Sequence, residues 1–142
     1  NKNFKLDYKD LFSGLNSMNV KNTSIVSWNG MNNLVQNSEN IIHIKNKSCK
    51  ICDQIIIEKT IKKINNSKDN EFIFTYIASI DIAGHKNGFS LKSKKYIKQI
   101  EHIDSLLKPL VNKCIQNNWN IFITTDHGGC RYDDLNKQQK KK

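Results

Sequence analysis

Hydrophobic residues recur every three or four positions in three segments of the chain. Residues 8–18 and 52–65 show this spacing over short lengths, and residues 90–118 show it over the longest one. This period places the apolar side chains on one face of an α-helix, so each segment is predicted to be helical. Pro109 lies within the third segment, where a proline removes one backbone hydrogen bond and is expected to kink or break the helix.

Four other segments have the β-branched, aromatic and apolar content that is typical of strands. They are residues 23–28, which end at an Asn-Gly pair, residues 39–44, residues 71–80 and residues 119–125. Residues 71–80 (EFIFTYIASI) are apolar at nearly every position, as expected of a strand that is covered on both faces. The alternation of strands and helices predicts an α/β fold, with a mainly parallel sheet and helices on both of its faces.

The chain has the length of one domain and a strongly basic composition. Its 142 residues include 23 Lys and Arg against 13 Asp and Glu, which gives a formal net charge of +10. The lysines are scattered along the chain rather than gathered with aromatic residues, so we attribute the charge to a solvated surface and expect no nucleic-acid partner. Residues 130–142 are polar and lysine-rich and are predicted to be a tail or loop, which leaves residues 1–129 as the folded part.

No apolar run approaches the ~20 residues that a transmembrane helix needs. The four cysteines leave the redox compartment open, and only Cys49 and Cys52 are close in sequence. A structural zinc site would need a second close pair, which the sequence lacks. A redox-active Cys-x-x-Cys pair would follow a strand and open a helix, as the flanking apolar stretches allow. A disulfide or two free thiols is the alternative.

Acidic and imidazole side chains follow two of the predicted strands directly. Asp81 and His85 follow the third strand, and Asp126 and His127 follow the fourth. The carboxyl ends of parallel strands meet at one edge of a sheet, where open α/β folds bind their ligands, so these side chains are predicted to converge there. Carboxylate oxygen and imidazole nitrogen are donors that suit Zn²⁺, Mn²⁺ or iron. The pattern therefore predicts a metal site.

The pair Gly128-Gly129 after His127 is expected to form a tight turn at positive φ, which would let Asp126 and His127 reach one site. Two other histidines lack such a context. His43 lies in a stretch rich in Asn and Lys, and His102 lies on the exposed side of a predicted helix. Neither of these two histidines is assigned a role.

Three stretches of the sequence resemble one family closely. They are LFSGLNSMNVKNTSIVSWNGMNNLV, then YIASIDIAGHKNGFSLKSKKYIKQIEHIDSLLKPLVNKC with its Asp-x-x-Gly-His motif and long helix, and finally WNIFITTDHGG, which runs into Asp-His-Gly. In these features the chain resembles the type I phosphodiesterase/nucleotide pyrophosphatase branch of the alkaline-phosphatase-like metalloenzymes. Residues 1–129 are accordingly interpreted as the central part of an alkaline-phosphatase-like catalytic domain.

The resemblance implies a site with two divalent metal ions, for which zinc is the expected metal. Asp81 and His85 match the ligands of one ion, and Asp126 and His127 match those of the other. The family also has a nucleophilic Thr or Ser upstream and a further metal-binding His downstream, and this sequence matches neither. The nucleophile is therefore expected outside this chain, as in a partial catalytic domain, and a degenerate copy is the alternative.

The predicted function is metal-dependent hydrolysis of phosphate esters, of the phosphodiesterase or nucleotide pyrophosphatase type, acting on a nucleotide or another small phosphate ester. Within the superfamily, the alternatives are a sulfatase or an enzyme similar to phosphoglycerate mutase, because these share similar ligands. Outside it, the alternative is a basic module that binds nucleic acid or an anionic surface. Such a module would show an affinity that falls steeply with salt.

Overall fold

The chain divides into two compact units, Asn1–Ala78 and Ser79–Lys142. The predicted tail, residues 130–142, lies outside the part of the chain that the structure describes, as does the beginning of the first predicted helix. The structure is a computed structural model, and it describes residues 10–45, 48–68 and 70–129.

A parallel three-stranded sheet forms the centre of the first unit. β1 (Lys21–Val26) lies in the middle, between β2 (Asn40–His43) and β3 (Glu71–Thr75). Both neighbours run parallel to β1, and Val26 is paired with His43 at the carboxyl end. The predicted parallel α/β sheet is confirmed.

α1 (Leu11–Ser17) covers one face of this sheet. The helix begins after Asp10, whose carboxylate accepts a backbone N–H of the first turn at 2.7 Å and so caps the helix. Phe12 is the buried residue of α1. Its ring meets those of Phe72 and Phe74 edge to face, with centroid separations of 6.2 and 6.1 Å. This aromatic cluster fixes α1 on the sheet.

α2 (Cys49–Asn66) covers the opposite face. Ile56 of α2 and Ile25 of β1 are both fully buried, and Ile73 of β3 packs against them. Successive strand residues point to opposite faces, so Ile73 faces α2 while its neighbours Phe72 and Phe74 face α1. The prediction of helices on both faces is therefore confirmed within this unit.

The close-spaced cysteines open α2, as the redox interpretation required. Cys49 and Cys52 lie in its first turn, and no disulfide joins them. The structure thus differs from the disulfide that was considered for this pair.

The third predicted strand is shorter than its apolar pattern indicated. β3 ends at Thr75, and the last two residues of the predicted strand, 79–80, begin α3 (Ser79–Asn87). Tyr76 follows β3 and is not part of the strand. Its ring stacks instead on that of Trp28, with centroids 5.9 Å apart. A continuous apolar run therefore combined a strand with the start of a helix, which hydrophobicity alone does not separate.

α3 and α4 (Lys94–Gln116) pack together in the second unit. Gln99 Nε2 of α4 donates to Ser79 Oγ at 2.8 Å, and both side chains are buried. Of the kink or break expected at Pro109, the break is wrong, because α4 is continuous through this residue. The long amphipathic segment is otherwise helical as predicted.

The prediction of a fourth strand at residues 119–125 is wrong, because the structure describes these residues and shows no strand there. Just after α4, Asn118 has a φ of 56°, and the Trp119 N–H donates to the Cys114 carbonyl at 2.8 Å. No helix or strand follows up to residue 129, and Phe122 is 90% exposed. The residue types favour a strand, but a strand also requires a partner to pair with, and its presence is not encoded in the segment itself.

A shielded carboxylate joins α2 to the beginning of β3. Lys63 Nζ lies 2.7 Å from Glu71 Oε1, and the Glu71 side chain is only 5% exposed. The hydroxyls of Thr23 and Ser67 donate to the same carboxylate at 3.0 and 2.9 Å. Burial on its own would raise the pKa of Glu71, but the Lys63 ammonium and the two hydroxyls outweigh burial and hold this pKa below its ordinary value.

We expect Glu71→Gln to lower the free energy of unfolding by about 1–3 kcal/mol near neutral pH, because Lys63 would lose the charge that compensates it. A carboxylate whose pKa falls on folding stabilises the protein above its ordinary pKa of 4.5 and loses that contribution as the pH drops below it. The difference between wild type and variant should therefore shrink as the pH is lowered from about 7 to about 3, as measured by urea unfolding.

Glu58→Gln provides the matched control. Glu58 is exposed on α2 and accepts a hydrogen bond from Gln54 at 2.9 Å, so its replacement should change the stability by less than about 0.5 kcal/mol. Equal stabilities of the two variants at neutral pH would contradict the role assigned to Glu71.

Candidate metal centre

The Asp-x-x-Gly-His motif lies in a helix and does not follow a strand directly, although the sequence had predicted that it would. Asp81 is in the first turn of α3 and His85 is in the last. Residues four apart lie on the same face of a helix, and His85 Nε2 is 3.4 Å from Asp81 Oδ1. An acidic residue is also favourable at this position because it interacts with the positive end of the helix dipole. The helix thus brings the carboxylate and the imidazole together.

The backbone that leads into α3 is held by a buried carboxylate. The Ala78 N–H donates to Asp53 Oδ1 at 3.2 Å, and Asp53 is completely buried in α2. Sequence reasoning did not identify Asp53, because an acidic residue in an amphipathic helix is ordinarily exposed. Its burial fixes the residue that immediately precedes α3.

Asp126 and His127 lie in a segment without helix or strand, with a bend at Asp126, rather than at the end of a strand. His127 Nε2 is 3.8 Å from Asp81 Oδ1 and 3.9 Å from Asp126 Oδ2. The structure therefore places the imidazoles of His85 and His127 beside the same oxygen of Asp81, with Asp126 next to the second imidazole. Their role as metal ligands stays a prediction.

Local hydrogen bonds orient the His127 ring. Its Nδ1 lies 2.9 Å from the Gly128 carbonyl oxygen, and because a carbonyl only accepts, Nδ1 must donate. In the neutral ring, Nε2 then carries the lone pair that faces Asp81. The Gly128 carbonyl, followed by the charges of Asp126 and Asp81, raises the pKa of His127. A backbone carbonyl on the second ring nitrogen is the usual partner of a metal-binding histidine.

Asp81 Oδ1 has an unusual environment for a carboxylate oxygen. It is shielded from solvent and accepts no hydrogen bond from any residue that the structure describes. The two imidazole nitrogens lie beyond the ~3.2 Å limit of a good N–H···O hydrogen bond. Buried oxygens are otherwise almost always paired, so a cation that bonds to Asp81 Oδ1 would satisfy it.

The fit to a metal ion is therefore partial. The separation of 3.4 Å from Asp81 Oδ1 to His85 Nε2 is close to the ligand–ligand spacing around an ion with bonds of about 2.1 Å, and His127 Nε2 is farther away, at 3.8 Å. Yet within the described ranges no three His, Cys, Asp or Glu side chains are placed to hold an ion together. The side chains supply suitable donors for part of a coordination shell.

The tight turn predicted at Gly128-Gly129 is not formed. Gly128 and Gly129 do not adopt the positive φ expected of a tight turn, and among the described glycines only Gly88 does, at φ 89°. A Cβ added to Gly128 would meet open space, whereas one added to Gly129 would overlap the ring of Phe89. Gly129 is therefore needed because of a close contact and not because of its backbone angles.

Phe89 is a residue that sequence reasoning missed. Its ring meets the His85 imidazole edge to face, with centroids 5.1 Å apart, and also meets the ring of Tyr96 at 5.6 Å. No feature of the sequence marks a lone phenylalanine after a glycine as part of a site. His43 was assigned no role, and both of its ring nitrogens are shielded without a hydrogen-bond partner among the described residues.

The chain belongs to the Metalloenzyme superfamily, whose profile matches residues 12–133. Membership supports an enzyme that uses divalent metal, and the parallel α/β sheet agrees with the predicted alkaline-phosphatase-like fold. The identity of the metal is a separate question that the match leaves open. None of the helices described is both long and apolar enough to span a membrane.

Two curated relatives have the same name, 2,3-bisphosphoglycerate-independent phosphoglycerate mutase. The one from Clostridium novyi (strain NT) is 28% identical over 75 residues, which are 53% of this chain and 14% of the relative. The one from Francisella philomiragia subsp. philomiragia is 30% identical over 73 residues, which are 51% of this chain and 13% of the relative. The matched region is thus a small part of each relative. No solved structure matches the chain.

The two glycines that follow His127 give a matched pair of variants. Gly129→Ala should lower the free energy of unfolding by about 1–3 kcal/mol, because its new methyl group and the Phe89 ring cannot occupy the same space. Gly128→Ala should change it by less than about 0.5 kcal/mol, since there is room for a Cβ. Chemical denaturation measures both, and a larger loss for Gly128→Ala would reverse the assignment.

Proposed function

We propose that the chain contributes metal ligands to the phosphoryl-transfer site of an enzyme that acts on a small phosphate ester. The observation that carries this proposal is the shielded Asp81 Oδ1, which lacks a hydrogen-bond donor and has the Nε2 atoms of His85 and His127 beside it. Membership of the Metalloenzyme superfamily supports the same conclusion.

Phosphoglycerate mutase activity is the first candidate for the reaction. Both curated relatives have this name, which matches an alternative considered within the superfamily. The phosphodiesterase or nucleotide pyrophosphatase activity that the sequence suggested lacks such support. We therefore favour phosphoryl transfer on a phosphate monoester over hydrolysis of a phosphodiester.

Each residue pair would take one ion in the proposed site. Asp81 and His85 would hold the first, and Asp126 and His127 would hold the second. When bound, the two divalent ions would lower the pKa of an attacking hydroxyl and offset the negative charge of the transferring phosphoryl group. Zinc and manganese both suit these oxygen and nitrogen donors.

The chain itself prepares these donors. α3 fixes Asp81 and His85 one helical turn apart, so that neither has to be ordered when an ion enters. The Gly128 carbonyl accepts a hydrogen bond from His127 Nδ1, which leaves Nε2 as the ring atom that can bind an ion. A lone pair on Nε2 and a shielded carboxylate oxygen together provide a preformed electronegative position.

Asp81→Asn in the full-length protein tests the proposal. The substitution preserves shape and removes the charge, so the affinity for Mn²⁺ or Zn²⁺ should fall by about 100-fold, and turnover of phosphoglycerate should fall by about 100-fold or more. Calorimetry gives the metal affinity, and phosphorus NMR gives the turnover. Bis(nitrophenyl) phosphate, assayed in parallel, should be a poor substrate if the mutase assignment is correct.

His102→Gln is the control, because His102 is exposed on α4 and outside the candidate centre. It should leave both the metal affinity and the turnover unchanged. Unaltered metal affinity and turnover in Asp81→Asn would refute the proposal. A protein that binds no metal, but binds DNA with an affinity that falls steeply with salt, would favour the basic binding module instead.

A further inference from the structure

The Phe89 ring contacts residues on both segments that carry the candidate ligands. Its half-buried ring lies 5.1 Å from the His85 ring, with an interplanar angle of 82°. This geometry directs the positive edge of one ring at the face of the other, which is the favourable arrangement for an aromatic pair. Tyr96 contacts the Phe89 ring at 5.6 Å and 68°. The ring is thus held between α4 and His85.

The end of α3 explains how Phe89 reaches this position. Gly88 has a φ of 89°, and its N–H donates to the Gly84 carbonyl at 2.7 Å. A left-handed residue with this hydrogen bond ends a helix and reverses the chain. Phe89 therefore returns over α3 and lies against Gly84, where a Cβ would overlap its ring.

The same ring also contacts the segment that carries His127. A Cβ at Gly129, two residues after His127, would overlap the Phe89 ring just as one at Gly84 would. Gly84 is the neighbour of His85 in sequence. One aromatic ring therefore packs against a glycine beside each of the two imidazoles.

We propose that Phe89 is a positioning residue that sets the places of both His85 and His127 relative to Asp81 Oδ1. The ring contacts His85 directly and acts on His127 through Gly129. A role in metal binding rests on the proposed function, but the placement of the two imidazoles does not. A residue that only filled a core would be replaced adequately by leucine, whereas the edge-to-face contact requires a planar ring.

Phe89→Leu and Phe89→Tyr in the full-length protein test this role. In the metal-free protein, the imidazole carbon and proton NMR signals of both His85 and His127 should shift in Phe89→Leu and stay near their wild-type positions in Phe89→Tyr. The affinity for Mn²⁺ should fall about tenfold in Phe89→Leu and recover in Phe89→Tyr, because misplaced ligands bind more weakly.

Phe12→Leu is the control for a general loss of packing. Phe12 is buried in a hydrophobic cluster of the first unit that contains neither histidine, so its replacement should reduce stability and leave both histidine signals unchanged. If Phe89→Leu leaves the His85 and His127 signals at their wild-type positions, the positioning role is wrong. A wild-type protein that binds no Mn²⁺ would refute the proposed function, while the NMR result would still decide the role of Phe89.

A second pair of variants covers the case in which Phe89→Leu does not fold. Gly129→Ala displaces the Phe89 ring without removing it and should shift the signals of His85, because the Phe89 ring contacts the His85 imidazole. Gly128→Ala has open space and should leave the His85 signals unchanged. Unshifted His85 signals in folded Gly129→Ala would overturn the proposal.

Discussion

The candidate centre depends on one oxygen atom, Asp81 Oδ1, which is shielded from water and has no hydrogen-bond donor among the described residues. A carboxylate oxygen without water or a donor is costly, and proteins retain such groups where a ligand or an ion compensates them. Two imidazole nitrogens lie within 4 Å of this oxygen, too far away to donate a good hydrogen bond. A cation bonded to Asp81 Oδ1 would compensate the charge of this oxygen.

Contacts within the second unit hold both ends of α3. At its beginning, the buried Gln99 amide donates a hydrogen bond to the Ser79 hydroxyl. At the other end of α3, the left-handed turn at Gly88 returns Phe89 towards His85. None of these residues is a proposed ligand. They hold the helix and the ring that lie next to the candidate ligands.

Much of the fold could be predicted from local sequence patterns. The periodic apolar residues of α2 and α4 and the β-branched content of β1 determine their own secondary structure, and the alternation of strands and helices gives a parallel sheet. The strand prediction for the segment around Phe122 failed, because residues with high β-propensity form a strand only when another strand pairs with them. The strand predicted to end at residue 80 was too long, because apolar residues are typical of a buried strand and of a buried helix alike.

The sequence indicated which residues to consider as a candidate site, but it did not predict the backbone conformation around them. Asp81, His85, Asp126 and His127 were identified because few other side chains bind metal, and the structure places two of the imidazoles beside one carboxylate. The backbone that carries them was predicted wrongly, since Asp81 and His85 lie within a helix and no strand precedes Asp126 and His127 directly. Phe89 could not be found, because the contacts that give it importance join residues 84 and 129, which are distant in sequence.

The most direct test is a crystal structure of the full-length protein with Mn²⁺, in which anomalous scattering at the manganese edge locates the ions. The account predicts an ion bonded to Asp81 Oδ1 with the His85 imidazole as a second ligand, at about 2.0–2.2 Å, and Asp126 and His127 on a neighbouring ion. A fully occupied structure in which Asp81 Oδ1 accepts a hydrogen bond from protein and every ion lies elsewhere would contradict it.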